Sequence, residues 1–152
     1  MGLPHWAPVP PIGSPAFFRS ACTLCYTRIE MNWSVAGSLL MALGVALGAF
    51  GAHGLKDRLD AYHMDVYQKA VFYHFIHALG ILIVSVLPKT GTFSEYATDW
   101  VCTLLVAGIV LFSGSLYLLA VTGTRWLGAI TPVGGVSFIA AWLVLAWFVM
   151  RR

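Results

Sequence analysis

The amino-acid sequence predicts an all-α integral membrane protein, a bundle of four helices, and three observations carry that prediction. Of its 152 residues, 59% are hydrophobic and only 10% are charged, whereas a soluble domain carries about a quarter charged residues. Long uncharged runs recur along the chain, the first of them at 33–53. Glycine and alanine recur within these runs at helical spacing, which lets helices approach closely in lipid. The formal net charge of +3 comes from dispersed basic residues. The electrostatic footprint of a nucleic-acid binder is therefore missing, and nucleic acid is excluded as the main partner.

Residues 1–30 carry Pro4, Pro8, Pro10, Pro11 and Pro15, with Arg19 and Arg28 as the only charges before Glu30. Prolines at this density prevent a long helix. They also spoil the amphipathic helix of a transit peptide, and no clean apolar core of a signal peptide appears. The segment reads as a disordered, proline-rich tail, with the four-helix domain occupying 31–152. Cys22 and Cys25 in the tail and Cys102 in an apolar run form neither a zinc set nor a disulfide framework.

The 21 uncharged residues at 33–53 span roughly the 30 Å hydrocarbon core at about 1.5 Å per residue. At 100° per residue Gly37, Gly44, Gly48 and Gly51 share one side, Ala42, Ala46, Ala49 and His53 lie nearly opposite, and leucines fill the sector between. The first helix is thus expected to touch neighbours on two sides and lipid on a third. Gly54 suits a left-handed cap. Lys56, Asp57, Arg58, Asp60 and Asp65 then mark an interfacial stretch, with Leu55, Leu59, Tyr62 and Val66 at the spacing of a short amphipathic helix on the membrane surface.

Asp65 with Gln68 resembles a capping box, which starts the second helix at 66 and lets it run to 87, where Pro88 ends it. A polar loop follows at 89–99. The third helix is expected at 100–121, and the fourth at 132–150, with Thr131 as N-cap and Pro132 at the first helical position. Gly134 and Gly135 supply its close-packing site. Basic residues are too evenly divided between the two membrane sides to set an orientation.

Threaded through a bilayer, this order brings His53, His74, His77, Tyr117, Arg125 and Thr131 toward one membrane face, as a candidate polar cluster. Tyr67, His74, His77 and Ser85 share a stripe of the second helix, so these histidines are expected to look inward. An ionisable side chain at membrane depth points to function by default. His74 and His77, at i and i+3, are the candidates for a metal, or with His53 for a haem iron. The plainer reading is preferred: neutral histidines hydrogen-bonding a tyrosine or a carbonyl and fastening helices together, with no metal or cofactor assigned. Likewise Thr131 and Arg125 suit a lipid phosphate at a helix N-terminus, beside the plainer role of Thr131 as a cap. Every carboxylate is expected outside the spans, which argues against an acid relay, and Ser113 in F-S-G-S lacks a hydrolase elbow.

Four blocks in order carry a resemblance. They are L-G-A-F-G-A-H-G-L at 47–55, Tyr67-Gln68 with Tyr73-His74 and His77-Ala78-Leu79, F-S-G-S-L-Y at 112–117, and I-T-P-V-G-G at 130–135. Together they resemble the YgdD-like family of small bacterial inner-membrane proteins and their eukaryotic relatives, a domain of unknown function, over residues 31 to about 150. The resemblance implies a four-helix protein of the bacterial inner membrane. It singles out His53, His74 and His77 without giving them a role, and residues 1–30 depart from it. The first functional reading is a non-enzymatic structural, assembly or accessory factor, in contact with lipid and as a homo-oligomer or beside a larger complex. A transporter or channel lined by His53, His74, His77 and Tyr117 is the second, and a metal- or haem-binding protein the third.

Overall fold

Three polar side chains start three of the four long helices. In the computed structural model, which describes residues 32–91 and 93–151, the Val35 N–H donates to Asn32 Oδ1 at 3.3 Å, the His63 N–H to Asp60 Oδ1 at 2.8 Å and the Ala97 N–H to Ser94 Oγ at 3.2 Å. The helices are α1 (Trp33–Leu55), α2 (Ala61–Thr90), α3 (Glu95–Thr122) and α4 (Arg125–Met150), each long and apolar enough to cross a membrane. The expected tail, with Cys22 and Cys25, lies outside the described residues.

The boundaries differ from those expected at several points, each for a local reason. Because Asp60 caps α2, the helix begins at Ala61 rather than 66, and the stretch expected to be a separate interfacial helix becomes its first turns. Asp65 is not a cap; it pairs with Lys69 one turn on, at 2.6 Å. Ser94 starts α3 ahead of the expected 100, with Glu95 suited to the positive end of the helix dipole. Asp99 is therefore helical rather than in a loop, and accepts a hydrogen bond from Trp33 Nε1 at 2.7 Å. Gly54 forms no left-handed cap. It sits inside a π turn, Gly51–Leu55, that Leu55 anchors by burial against Val66 and Tyr67. Among the described residues positive φ occurs at Gly91 and Gly123, which follow α2 and α3. Pro88 falls in the closing 3-10 turn Leu87–Thr90, and α4 opens with a 3-10 turn, Arg125–Ala129, that leads straight into Thr131.

Consecutive helices run antiparallel. In the apolar windows of α2 and α3, 39% of residues are buried, against 17% in α1 and α4, so the inner pair carries the outer two. Ile81 and Val84 of α2 meet Val101, Cys102 and Leu105 of α3, with Phe138 and Ala141 of α4 and Trp33 of α1 closing the core. The glycine face of α1 lies on α2: a methyl group at Gly37 would stand 2.8 Å from Leu82 Cδ2, and one at Gly51 would stand 2.5 Å from Tyr67 Cε1. Ala42, Ala46, Ala49 and His53 are exposed. The contact expected on that second side of α1 is absent among the described residues, because α1 is an outer helix with α2 on its glycine side.

Candidate functional site: a buried histidine and tyrosine cluster

On α2 the buried residues Tyr67, Ala70, His74, His77, Ala78 and Ile81 follow helical spacing, so one stripe is turned into the bundle. The register sets its depth. Gly44, the midpoint of the 23-residue α1, faces Phe75. His74 and His77 accordingly sit near the middle of the spans and not at one end, as the threading of loops implied.

His74 touches two other helices. Its Nε2 lies 3.0 Å from the carbonyl oxygen of Leu40 in α1, and its Nδ1 lies 3.4 Å from Tyr117 Oη in α3. A carbonyl only accepts, so Nε2 carries the proton of the neutral ring and Tyr117 donates to Nδ1. Both nitrogens are used. Tyr67 repeats the theme below it, donating from Oη to the Leu47 carbonyl at 2.8 Å, and its ring meets that of Tyr117 edge to face at 5.1 Å.

His77 is held differently. Its Nδ1 donates to the Tyr73 carbonyl one turn back at 2.7 Å, while its ring stacks on Phe138 of α4 with centroids 3.4 Å apart. Tyr73 and Phe112 complete this aromatic block, 4.6 Å apart. On α3, one turn from Tyr117, the hydroxyl of Ser113 is buried with no hydrogen-bond partner among the described residues.

The other members of the expected cluster stand apart. Thr131 does not cap α4; its Oγ1 pairs with Ser115 Oγ at 2.9 Å, and the N–H groups of Ile130 and Val133 donate to Leu127 and Ile130 carbonyls at 3.1 and 3.0 Å. The preceding 3-10 turn thus occupies amides that an anion would need. Arg125 and His53 are exposed. At Gly134 a methyl group would strike the backbone of Phe112, whereas one at Gly135 would lie 3.7 Å from the Phe112 ring. Three further ties had no sequence signal strong enough to single them out, namely Trp33 to Asp99, Ser34 to Ser85 at 2.9 Å and Ser137 to the Leu104 carbonyl at 2.8 Å. Single serines and an interfacial tryptophan have no spacing that names their partner.

Chemically the cluster joins helices. His74 has no nitrogen left for a ligand, His77 has one, and among the described residues no three of His, Cys, Asp and Glu stand close enough to hold a metal ion. Cys102 is fully buried in the core.

The family model described as "Protein of unknown function (DUF423)" matches residues 47–135, which include both histidines, both cluster tyrosines and the Gly134–Phe112 contact. The chain is 48% identical over 111 residues to UPF0382 membrane proteins of Staphylococcus haemolyticus (SH2409) and Staphylococcus epidermidis, covering 73% of this chain and 88% of each relative. It is 46% identical over 113 residues to the UPF0382 membrane protein YwdK of Bacillus subtilis, covering 73% of this chain and 89% of that one. No solved structure matches.

Proposed function

The chain belongs to the DUF423 family, a family of membrane proteins whose function is unknown, and from that premise we propose that it is a non-enzymatic accessory membrane protein. It acts by contact, presenting a fixed helical surface to lipid and to other membrane-embedded helices, as a homo-oligomer or within a larger complex. One observation carries the reading: His74, the most telling ionisable residue of the core, spends both ring nitrogens on its own helices, at Leu40 and Tyr117. A metal centre needs a ring nitrogen free to coordinate, and a proton relay needs a titratable group or water beyond each nitrogen, where His74 has the Leu40 backbone carbonyl on one side. The finer likeness to YgdD-like proteins belongs to the same reading and rests on the four blocks of residues.

Gentle extraction from native membranes, followed by cross-linking and native mass spectrometry, tests it. The expected result is a reproducible assembly, of copies of this chain or with other membrane proteins. A chain that is reproducibly monomeric and alone overturns the proposal, as does a stoichiometric metal or haem in the purified protein. Flux in proteoliposomes that disappears in both His74→Ala and His77→Ala overturns it in favour of a transporter.

A further inference from the structure

The seam between α1 and α2 opens outward into a groove with a cavity volume of about 730 Å³. Its floor follows one row of α1, Gly48, Ala52 and Lys56, and its wall one row of α2, Gln68, Phe72 and Ile76. Each row steps by four residues over eight, so each runs about 12 Å along its helix at 1.5 Å per residue. Because the helices are antiparallel, with Gly51 against Tyr67 and Gly48 against Val71, the two rows are offset: Lys56 marks the interfacial end with Gln68 about one turn deeper, and Ile76 marks the end near mid-membrane with Gly48 about one turn shallower. The groove is thus polar at its mouth and apolar along its depth. End to end the offset rows run the depth of one hydrocarbon leaflet, about 15 Å, and reach into the interface.

We propose that this groove is a binding site for one phospholipid with an anionic headgroup. One acyl chain lies along Gly48, Ala52, Phe72 and Ile76, and the phosphate meets Lys56 and Gln68 at the mouth. Charge selects the headgroup. The ion pairs among the described residues are Asp60 with His63 and Asp65 with Lys69. The carboxylates at 60 and 65 are therefore engaged, Asp57 and Arg58 beside Lys56 do not line the groove, and Lys56 is the charged residue of its lining, with no ion-pair partner among the described residues. Glycine makes the floor: a methyl group at Gly48 would already be in contact with Val71 at 3.5 Å, so any larger side chain there would fill the space the acyl chain uses. The inference is independent of the accessory role, since it concerns a lipid ligand and holds for a lone monomer.

Native mass spectrometry of purified protein released from mixed bilayers, containing equal phosphatidylglycerol and phosphatidylcholine with the same acyl chains, tests the site. Retention of one phosphatidylglycerol over phosphatidylcholine by about fivefold is expected, the preference that one basic residue at an anionic surface supplies. Lys56→Glu should abolish that preference, whereas Lys89→Glu, outside the groove, should keep it. Ala52→Phe, at an exposed position that the fold tolerates, should lower retention of both lipids. A phosphatidylglycerol with a photoreactive acyl chain should label Phe72 and Ile76 above the other lipid-facing residues. Equal retention of the two lipids by the parent, an unchanged preference in Lys56→Glu, or labelling spread evenly around the bundle overturns the proposal. So does cross-linking of two copies of the chain through Phe72 and Ile76, which would make the groove a dimer seam.

Discussion

Replacing Gly134 by alanine tests whether α3 and α4 are held at backbone contact. The added methyl would lie 2.7 Å from Phe112 Cβ and 2.8 Å from Phe112 Cα, against an optimum of about 3.5–4.0 Å between carbons. Backbone cannot rotate away, so α4 must retreat by roughly 0.8–1.3 Å, a gap that forfeits about half of each dispersion contact along the seam. Overpacking of this kind costs about 1–3 kcal/mol. Gly135→Ala is the matched control, one residue along the same helix, where the methyl would stand 3.7 Å from a ring. Both variants gain the same intrinsic helix preference, about 1 kcal/mol at most, so it cancels in their comparison. Thermal unfolding in one detergent should place Gly134→Ala below Gly135→Ala by about 1–3 kcal/mol. Equal midpoints, or the reverse order, would refute the close approach.

Ser113→Ala removes a buried hydroxyl that has no partner among the described residues, and the same thermal assay should find the variant as stable as the parent or more so, by up to about 1–3 kcal/mol. His74→Leu and Tyr117→Phe, combined in a double-mutant cycle, should show a coupling of about 0.6 kcal/mol and no more than about 1.7, as suits a bond of 3.4 Å. A coupling of zero would place the tyrosine hydroxyl elsewhere. Asp60 is held below the ordinary carboxylate range, first by the His63 backbone N–H and then by the His63 side chain. Its cap is therefore complete above the unfolded carboxylate pKa and lost as pH falls through the lower folded value. The protection factor of the His63 amide, its exchange rate relative to the intrinsic rate at each pH, should fall only in that acid range, and Asp60→Asn, which keeps an acceptor, should flatten the response.

What could be read from the sequence was set by length and periodicity. The apolar runs named the four spans because a bilayer demands helices of fixed minimum length, and the glycine row of α1 named the face that meets α2. The inward stripe of His74 and His77 followed from helical spacing alone. Depth did not. Loop order says which ends of helices share a membrane face, but the register between α1 and α2 is fixed by side chains such as Leu82, Phe75 and Tyr67 seated on individual glycines. That register moves the histidines from one end to the middle. Thr131 was misread for a similar reason, since its sequence is that of a cap while the 3-10 turn before it supplies the capping bonds and Ser115 takes its hydroxyl. Ala42, Ala46 and Ala49 have the composition of a packing face, and composition does not reveal that none of the described helices lies there.

The acceptors on α1 show how glycine and histidine work as one device. His74 and Tyr67 both bond backbone carbonyls, those of Leu40 and Leu47, two turns apart on the same face. In an α-helix each carbonyl points toward the residue four positions on, which for Leu40 is Gly44 and for Leu47 is Gly51. Those positions carry no side chain, so the two carbonyls are open to rings arriving from α2. Gly51→Ala would close one of them, because the new methyl would lie 2.5 Å from Tyr67 Cε1 and 3.0 Å from Cδ1 and push the ring off the Leu47 carbonyl. Tyr67→Phe breaks the same bond from the other side, at a cost of about 0.6–1.7 kcal/mol. In the Gly51→Ala background Tyr67→Phe should therefore cost almost nothing, whereas in the parent it should lower the unfolding midpoint. If the two losses add in full, the glycine only fits the tyrosine ring and does not expose the carbonyl.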